Sequence, residues 1–373
     1  MSSQPDPDRF VNIVHLELGR FLYGGAEQVR YLLRGMRSDA HTHTLLCCQG
    51  SELAAWAQDV GQPYIALPYS GEHNLAFVLR LARQLSALNA DLLHVHSRRG
   101  ADWMGPLAAW RAGVACVLSR RVDNAPPRIL SWLMASRYRR TIAISHTIAD
   151  VLTQRGVDPE RLLTIHSAVN LRRGDQQRAR EQLAEVLPGA GTAPVIAVIA
   201  QLIERKGHRF LLATMPALLR KHPDLKVVFF GRGPLLDELQ RHVAAEGLAP
   251  YVVFAGFHHD LDEMLPALTL VVHPALKEGL GVSLLKAAAS EIPVVGFNAG
   301  GVSEVVVNEH TGLLVPPEDV IGLTAAVVRL LDDASLRAQF GENARERVLR
   351  EFSVDRMVQR HAALYDVLAQ EIA

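Results

Sequence analysis

Short apolar runs recur along the chain, and longer stretches with apolar residues at three- and four-residue steps separate them. Residues 11–18, VNIVHLEL, read as a strand, and 26–36, AEQVRYLLRGM, as a helix with one apolar face. Strands are also predicted over 42–49, 63–68, 91–97, 115–120 and 140–145, with helix-like segments between them. A second series opens at 193–202, APVIAVIAQL, and continues as a helix over 208–223, a strand over 225–231 and a helix over 234–247 that stops at Gly247, as a left-handed C-terminal cap would. Strands over 251–256, 268–274 and 293–297 extend it. Alternation of this kind predicts α/β architecture, with parallel sheets covered by helices on both faces.

The two series imply two doubly wound lobes, at 1–172 and 193–352, joined by a polar, Gly- and Pro-bearing linker at 173–192 and followed by a helix over 353–373. Two such lobes are expected to face each other across a cleft, with ligands outside the carboxyl ends of the strands. The start, MSSQPDPDRF, lacks the basic-then-apolar order of a signal peptide and reads as a short tail. No apolar run is long enough for a transmembrane helix. Cys47, Cys48 and Cys116 form no CxxC pair, so a reducing cytoplasm and no structural metal are expected.

The formal net charge of zero conceals an asymmetry. Residues 1–172 hold 19 Arg, no Lys and 14 acidic residues, for +5, and the remainder carries −5. Nine of those arginines lie between Arg98 and Arg140. A basic half suits phosphate groups or an anionic membrane surface, and a solvated Arg-rich surface is the plainer alternative. Residues 119–140, SRRVDNAPPRILSWLMASRYRR, combine arginines with Ile129, Leu130, Trp132, Leu133 and Met134, as an amphipathic membrane-surface helix would. No nucleic-acid partner is expected.

Several loops carry candidate chemistry. Gly24 and Gly25 stand between a strand and a helix, where a backbone free of side chains and a helix N-terminus can receive phosphate. Lys206, in QLIERKGH, can offer a point charge to phosphate, and Gly231 and Gly233 end another strand. The richest stretch is 277–296, KEGLGVSLLKAAASEIPVVG. Its glycines permit a steep turn into a helix whose first N–H groups can bind a diphosphate, and Glu278 can accept from sugar hydroxyls. Asp260 and Asp262 form a D-x-D string, but they precede a helix, where acids commonly cap.

Taken together, GGAEQV at 24–29, DLLHVHS at 91–97, AISHTIADVL at 143–152, ERKGH at 204–208, VVFFGRGP at 227–234, HPALKEGLGVSLLKAAAS at 273–290, AGGVSEVV at 299–306 and TGLLVPPED at 311–319 resemble glycosyltransferases of family 4, which have the two-lobed GT-B fold. The resemblance spans residues 10–350 in order. It implies a retaining, metal-independent transferase with no cofactor. The donor, a UDP- or GDP-sugar, would sit in the C-terminal lobe and a glycan or glycolipid acceptor in the N-terminal lobe. The last helix would return to the first lobe. Lipopolysaccharide or capsule assembly at the inner face of the membrane is the expected setting. By position, Glu278 matches the first acid of the family's Glu-x7-Glu pair, Gly279, Leu280, Gly281, Val282 and Ser283 the diphosphate turn, and Lys206 the phosphate lysine. His96 matches the first-lobe histidine, with His94 the alternative, and Arg98, Arg120 and Arg121 are placed on the acceptor. Two positions depart: Lys286 replaces the second acid, and Gln201 stands where an arginine is usual. An ammonium can only donate where a carboxylate accepts. An altered donor contact is the preferred reading, and a snorkelling surface lysine the plain one. A nucleotide-sugar epimerase and a non-catalytic partner subunit are the rival functions.

Overall fold

The computed structural model describes residues 10–38, 40–71, 74–98, 100–124, 128–170 and 174–372. It divides into two compact units: residues 1–167 with 354–373, and residues 168–353. Both are α/β units built on one parallel sheet.

Unit one runs β1 (Asn12–Glu17), α1 (Gly24–Gly35), β2 (Thr42–Cys48), α2 (Glu52–Asp59), β3 (Tyr64–Leu67), α3 (Leu75–Ala87), β4 (Leu92–Val95), α4 (Ala101–Ala112), β5 (Ala115–Arg120), α5 (Arg128–Arg137), β6 (Arg140–Ala143), α6 (His146–Gln154) and β7 (Leu162–Thr164). Unit two runs α7 (Gln176–Val186), β8 (Val195–Ile199), α8 (His208–Lys221), β9 (Lys226–Phe230), α9 (Leu236–Ala245), β10 (Val252–Gly256), α10 (Leu261–Met264), β11 (Leu270–His273), α11 (Val282–Ala289), β12 (Val294–Phe297), α12 (Val302–Val305), β13 (Gly312–Val315), α13 (Val320–Asp332) and α14 (Ala334–Glu351). The last helix, α15 (Val354–Glu371), belongs to unit one and packs along α1.

The sheets have the orders β3-β2-β1-β4-β5-β6-β7 and β10-β9-β8-β11-β12-β13, with every described pairing parallel. Chain direction across each sheet reverses once, between β1 and β4 and between β8 and β11. Such switch points leave a crevice at the carboxyl ends of the strands. The core explains the apolar runs. Ile196, Val198, Val227, Phe229, Leu270 and Val272 are all buried in unit two, and Phe210 of α8 meets Phe297 of β12 edge-on at 5.2 Å. Cys47, Cys48 and Cys116 are buried free thiols in unit one.

The segment expected as linker is different in kind. Asp175 caps α7 by accepting from the N–H groups of Gln177 and Arg178. Ala179 and Leu183, one helical turn apart, are buried, and α7 packs on α10. Four residues of repeat suffice for a narrow apolar stripe, so most of 173–192 is part of unit two.

Candidate functional site

In unit two the loops after β8 and β11 flank the switch point, and they carry the candidate donor residues. Lys206 and Glu278 meet there: the Lys206 ammonium lies 2.5 Å from Glu278 Oε2. His273, the last residue of β11, reaches the same oxygen through Nε2 at 2.8 Å. The N–H of Gly279 donates to the other oxygen at 3.1 Å. Burial alone would raise the Glu278 carboxyl, but His273 and then Lys206 outweigh it and hold the group well below the usual carboxylate range. His208, the first residue of α8, is buried close by with neither ring nitrogen bonded among the described residues. Burial, followed by His273 and Lys206, lowers it to about 4.

The turn after Glu278 is built by glycine. Gly281 caps α11 at φ 91°, in the left-handed region, and its carbonyl accepts from Leu284 and Leu285. As the first helical residues, Val282 and Ser283 present N–H groups outside the helical ladder. Leu280 is buried beneath the turn. Gly300 and Gly301 brace it. Gly301 N–H donates to Glu278 O at 2.9 Å, and a Cβ on Gly300 would stand 2.2 Å from that carbonyl. Gly231 and Gly233 have a packing role: a Cβ on either would fall 1.9 Å from Ala200 O or 2.2 Å from Leu202 O. Their backbone lies directly against the loop that leads to Lys206. Gln201 is exposed on that loop.

Lys286 does not join the Glu278 cluster among the described contacts. Its ammonium pairs with Asp262 of α10 at 2.7 Å, and both groups are partly exposed. They line a cavity of about 400 Å³ with Asp175, Arg178, His259 and Asp260. The D-x-D string is thereby divided, Asp262 to Lys286 and Asp260 to His258 at 3.3 Å.

In unit one the candidate histidine is part of a buried network. His15 and His94 are register partners on β1 and β4. His15 Nδ1 lies 3.0 Å from His96 Nε2, and His15 Nε2 lies 3.0 Å from His43 Nδ1. His94 meets Tyr365 Oη of α15 at 2.6 Å and Ser119 Oγ at 2.9 Å. His361 of α15 donates from Nδ1 to Met357 O, 2.8 Å away. Burial, then neighbouring imidazoles, lowers His15, His94 and His96 well below the usual value; burial and the nearby Arg121 take His361 to about 4. His96 Nδ1 and His361 Nε2 have no partner among the described residues. Nitrogens of His15, His94 and His96 lie within 4.8 Å of one another, close enough to surround a metal ion, but those of His15 and His94 are engaged with side chains.

The other unit-one candidates separate. Arg120 is buried, with Asp102 at 3.7 Å and Asn124 O at 2.9 Å, so the fold accounts for it. Arg121 donates to Ser167 at 3.3 Å, and Arg98 is exposed. Gly24 and Gly25 open α1 itself rather than a loop before it. A Cβ on Gly24 would meet nothing, and one on Gly25 would meet only Arg121 Cδ at 3.6 Å. Packing within unit one therefore does not require these two glycines. His273, His15 and Tyr365 were not among the expected site residues; the one signal was a histidine within or at the end of an apolar strand, which also fits a satisfied core residue.

The sequence family described as "Glycosyl transferases group 1" matches residues 179–347, and "Glycosyltransferase Family 4" matches residues 23–173. A GDP-mannose-dependent alpha-(1-6)-phosphatidylinositol monomannoside mannosyltransferase of Mycolicibacterium smegmatis is 31% identical over 73% of this chain and 71% of that protein. A UDP-Gal:alpha-D-GlcNAc-diphosphoundecaprenol alpha-1,3-galactosyltransferase of Escherichia coli is 22% identical over 95% of this chain and 96% of its own length. Several other curated relatives are matched over about half their length. Anabaena HepE, solved with UDP-glucose, superposes with a TM-score of 0.85 at 19% identity, covering 96% of this chain and 100% of that one, a likeness of fold. With the paired parallel sheets, the Lys206–Glu278 cluster and these matches in hand, the chain belongs to the family 4 glycosyltransferases of GT-B fold.

Proposed function

We propose that this enzyme is a retaining, metal-independent transferase that moves a hexosyl group from a UDP- or GDP-sugar to a hydroxyl of a cell-envelope glycan or glycolipid, at the cytoplasmic side of the membrane. The observation that carries this reading is the joining of Lys206, His273 and Glu278 beside the Gly279–Gly281 turn. Relatives that take GDP-mannose and UDP-galactose support a nucleotide-sugar donor.

The chemistry follows from charge. The bond between the anomeric carbon and the diphosphate oxygen breaks, and negative charge collects on the departing diphosphate. Lys206, the first N–H groups of α11 and the positive end of its dipole stabilise that charge without a metal. Glu278 stays ionised and accepts hydrogen bonds from sugar hydroxyls, with His273 and the Gly279 N–H fixing its oxygens. The acceptor oxygen bonds to the anomeric carbon on the face the diphosphate leaves, and its proton passes to a diphosphate oxygen. In unit one, His96 Nδ1 offers a hydroxyl ligand a hydrogen-bonding partner.

Thermal melts with UDP, GDP and a panel of their sugars test the donor claim, since a ligand that binds only the folded state raises the melting temperature. One nucleotide class should raise it, and Lys206→Ala should remove the effect. A flat response to every nucleotide would favour a non-catalytic subunit instead, a reading that Lys286 in its ion pair with Asp262 makes concrete. Product analysis by NMR distinguishes retention from inversion, and transfer from epimerisation.

A further inference from the structure

Helices α3, α4 and α5 each connect one parallel strand to the next, from β3 to β4, β4 to β5 and β5 to β6, so they run in the same direction over one face of the unit-one sheet. α3 packs along α4, and α4 against α5. An outer helix layer ordinarily shows water both signs of charge. These three helices contain a single acid, Asp102, and it is buried against Arg120. Among the described residues, the large side chains they expose are apolar or basic, with Ser86 and Ser136 between them. Leu75, Leu79 and Arg83 make one stripe of α3, at four-residue steps. Trp110 is 63% exposed beside exposed Arg111, and Ile129 and Trp132 of α5 are 78% and 62% exposed. The Arg137 guanidinium lies over the Trp110 ring at 4.8 Å, tying α4 and α5 into one surface. Exposed Arg139 stands two residues on, past the buried Tyr138.

We propose that this three-helix face docks on an anionic lipid bilayer, with Leu75, Leu79, Trp110, Ile129 and Trp132 entering the headgroup boundary and the arginines meeting lipid phosphates. Tryptophan with arginine, and no acid, is the composition that an anionic interface favours. A second copy of the chain is a poor occupant, because a two-fold contact through this face sets arginines against arginines. No described helix is long and apolar enough to cross a membrane, so the attachment is peripheral. The inference stands on this surface and survives if the transferase reading falls.

The test mixes the full chain with phosphatidylcholine vesicles, with or without about one-third phosphatidylglycerol, and follows sedimentation and tryptophan fluorescence. Binding should require phosphatidylglycerol and fade as salt rises. Trp110→Ala with Ile129→Ser and Trp132→Ala should weaken it about tenfold or more, and Arg83→Glu with Arg111→Glu should abolish it, both variants keeping the wild-type circular dichroism. No association, equal association with both vesicles, or association unchanged in both variants would overturn the proposal. So would a dimer in light scattering that the apolar variant makes monomeric. Vesicle binding without any melting shift from nucleotide would overturn the transferase reading instead.

Discussion

Acid should unfold unit one before unit two. His15, His94, His96 and His361 are buried and held neutral in the folded state, whereas in the unfolded chain an imidazole titrates near its ordinary value of about 6.5. Below that pH the unfolded chain gains protons that the folded chain refuses, so stability present above about pH 6.5 is lost as the pH falls towards the folded values. Each such imidazole removes about 1.4 kcal/mol per pH unit, hence about 2 kcal/mol at pH 5 and about 8 kcal/mol for the four, an upper bound comparable with the whole stability of a domain. Among the described residues no carboxylate offsets the lowering of these imidazoles. The network is faced by Glu17 of β1, His43 of β2, Arg121 after β5 and Tyr365 of α15, and Arg121 adds a further cation against protonation. Among the described residues of unit two His208 is the comparable group, and Glu278 loses its ion pair only at lower pH.

The chain supplies its own reporter. All four tryptophans, Trp56, Trp103, Trp110 and Trp132, lie in unit one, so their fluorescence follows that unit while far-ultraviolet circular dichroism follows both. Between about pH 7.5 and pH 5 the fluorescence melt should fall by more than about ten degrees, and the remaining helical signal by far less. His15→Asn should cost stability at neutral pH and remove about one proton from the slope. Melts that fall together, or a fluorescence midpoint insensitive to pH in this window, would refute the reasoning.

Other outcomes follow from the same geometry. Lys206→Met leaves the buried Glu278 with His273 and the Gly279 N–H but no ammonium, and urea titration should read a loss of about 3 kcal/mol in unit two, along with weaker nucleotide binding in calorimetry. Gly231→Ala forces a Cβ onto Ala200 O and should cost more than about 2 kcal/mol, whereas Gly24→Ala should stay within about 0.5 kcal/mol while lowering transfer rate. Lys286→Glu breaks only a partly exposed pair, so stability should change by less than about 1 kcal/mol; a shift in donor affinity would place the residue at the nucleotide, and none would place it outside.

The two sheets were legible because parallel strands buried on both faces leave unbroken apolar runs such as VIAVI and LVVH, which few other elements produce. Lys206 and Glu278 were legible as separate residues with one ligand in common. Their direct contact was not, nor was His273, since proximity across 72 positions arises only when β8 and β11 become neighbours. Lys286 and Asp262 stayed apart for the same reason: the acid looked like a helix cap until α10 was set beside α11. The histidine network is the extreme case. Its members come from three strands and the last helix, and only the register of His15 against His94 brings them together.

That last helix has a consequence for how the molecule is made. Unit two is one continuous stretch, but unit one is assembled from sequence on both sides of it, and α15 brings Tyr365 and His361 to the histidine face. A ribosome that has delivered residue 353 has supplied everything unit two needs, yet the buried imidazoles of β1 and β4 still lack their cover. The lobe translated first is therefore the lobe completed last. A chain cut short by α15 would keep a whole C-terminal unit while its N-terminal unit presented an uncovered row of histidines.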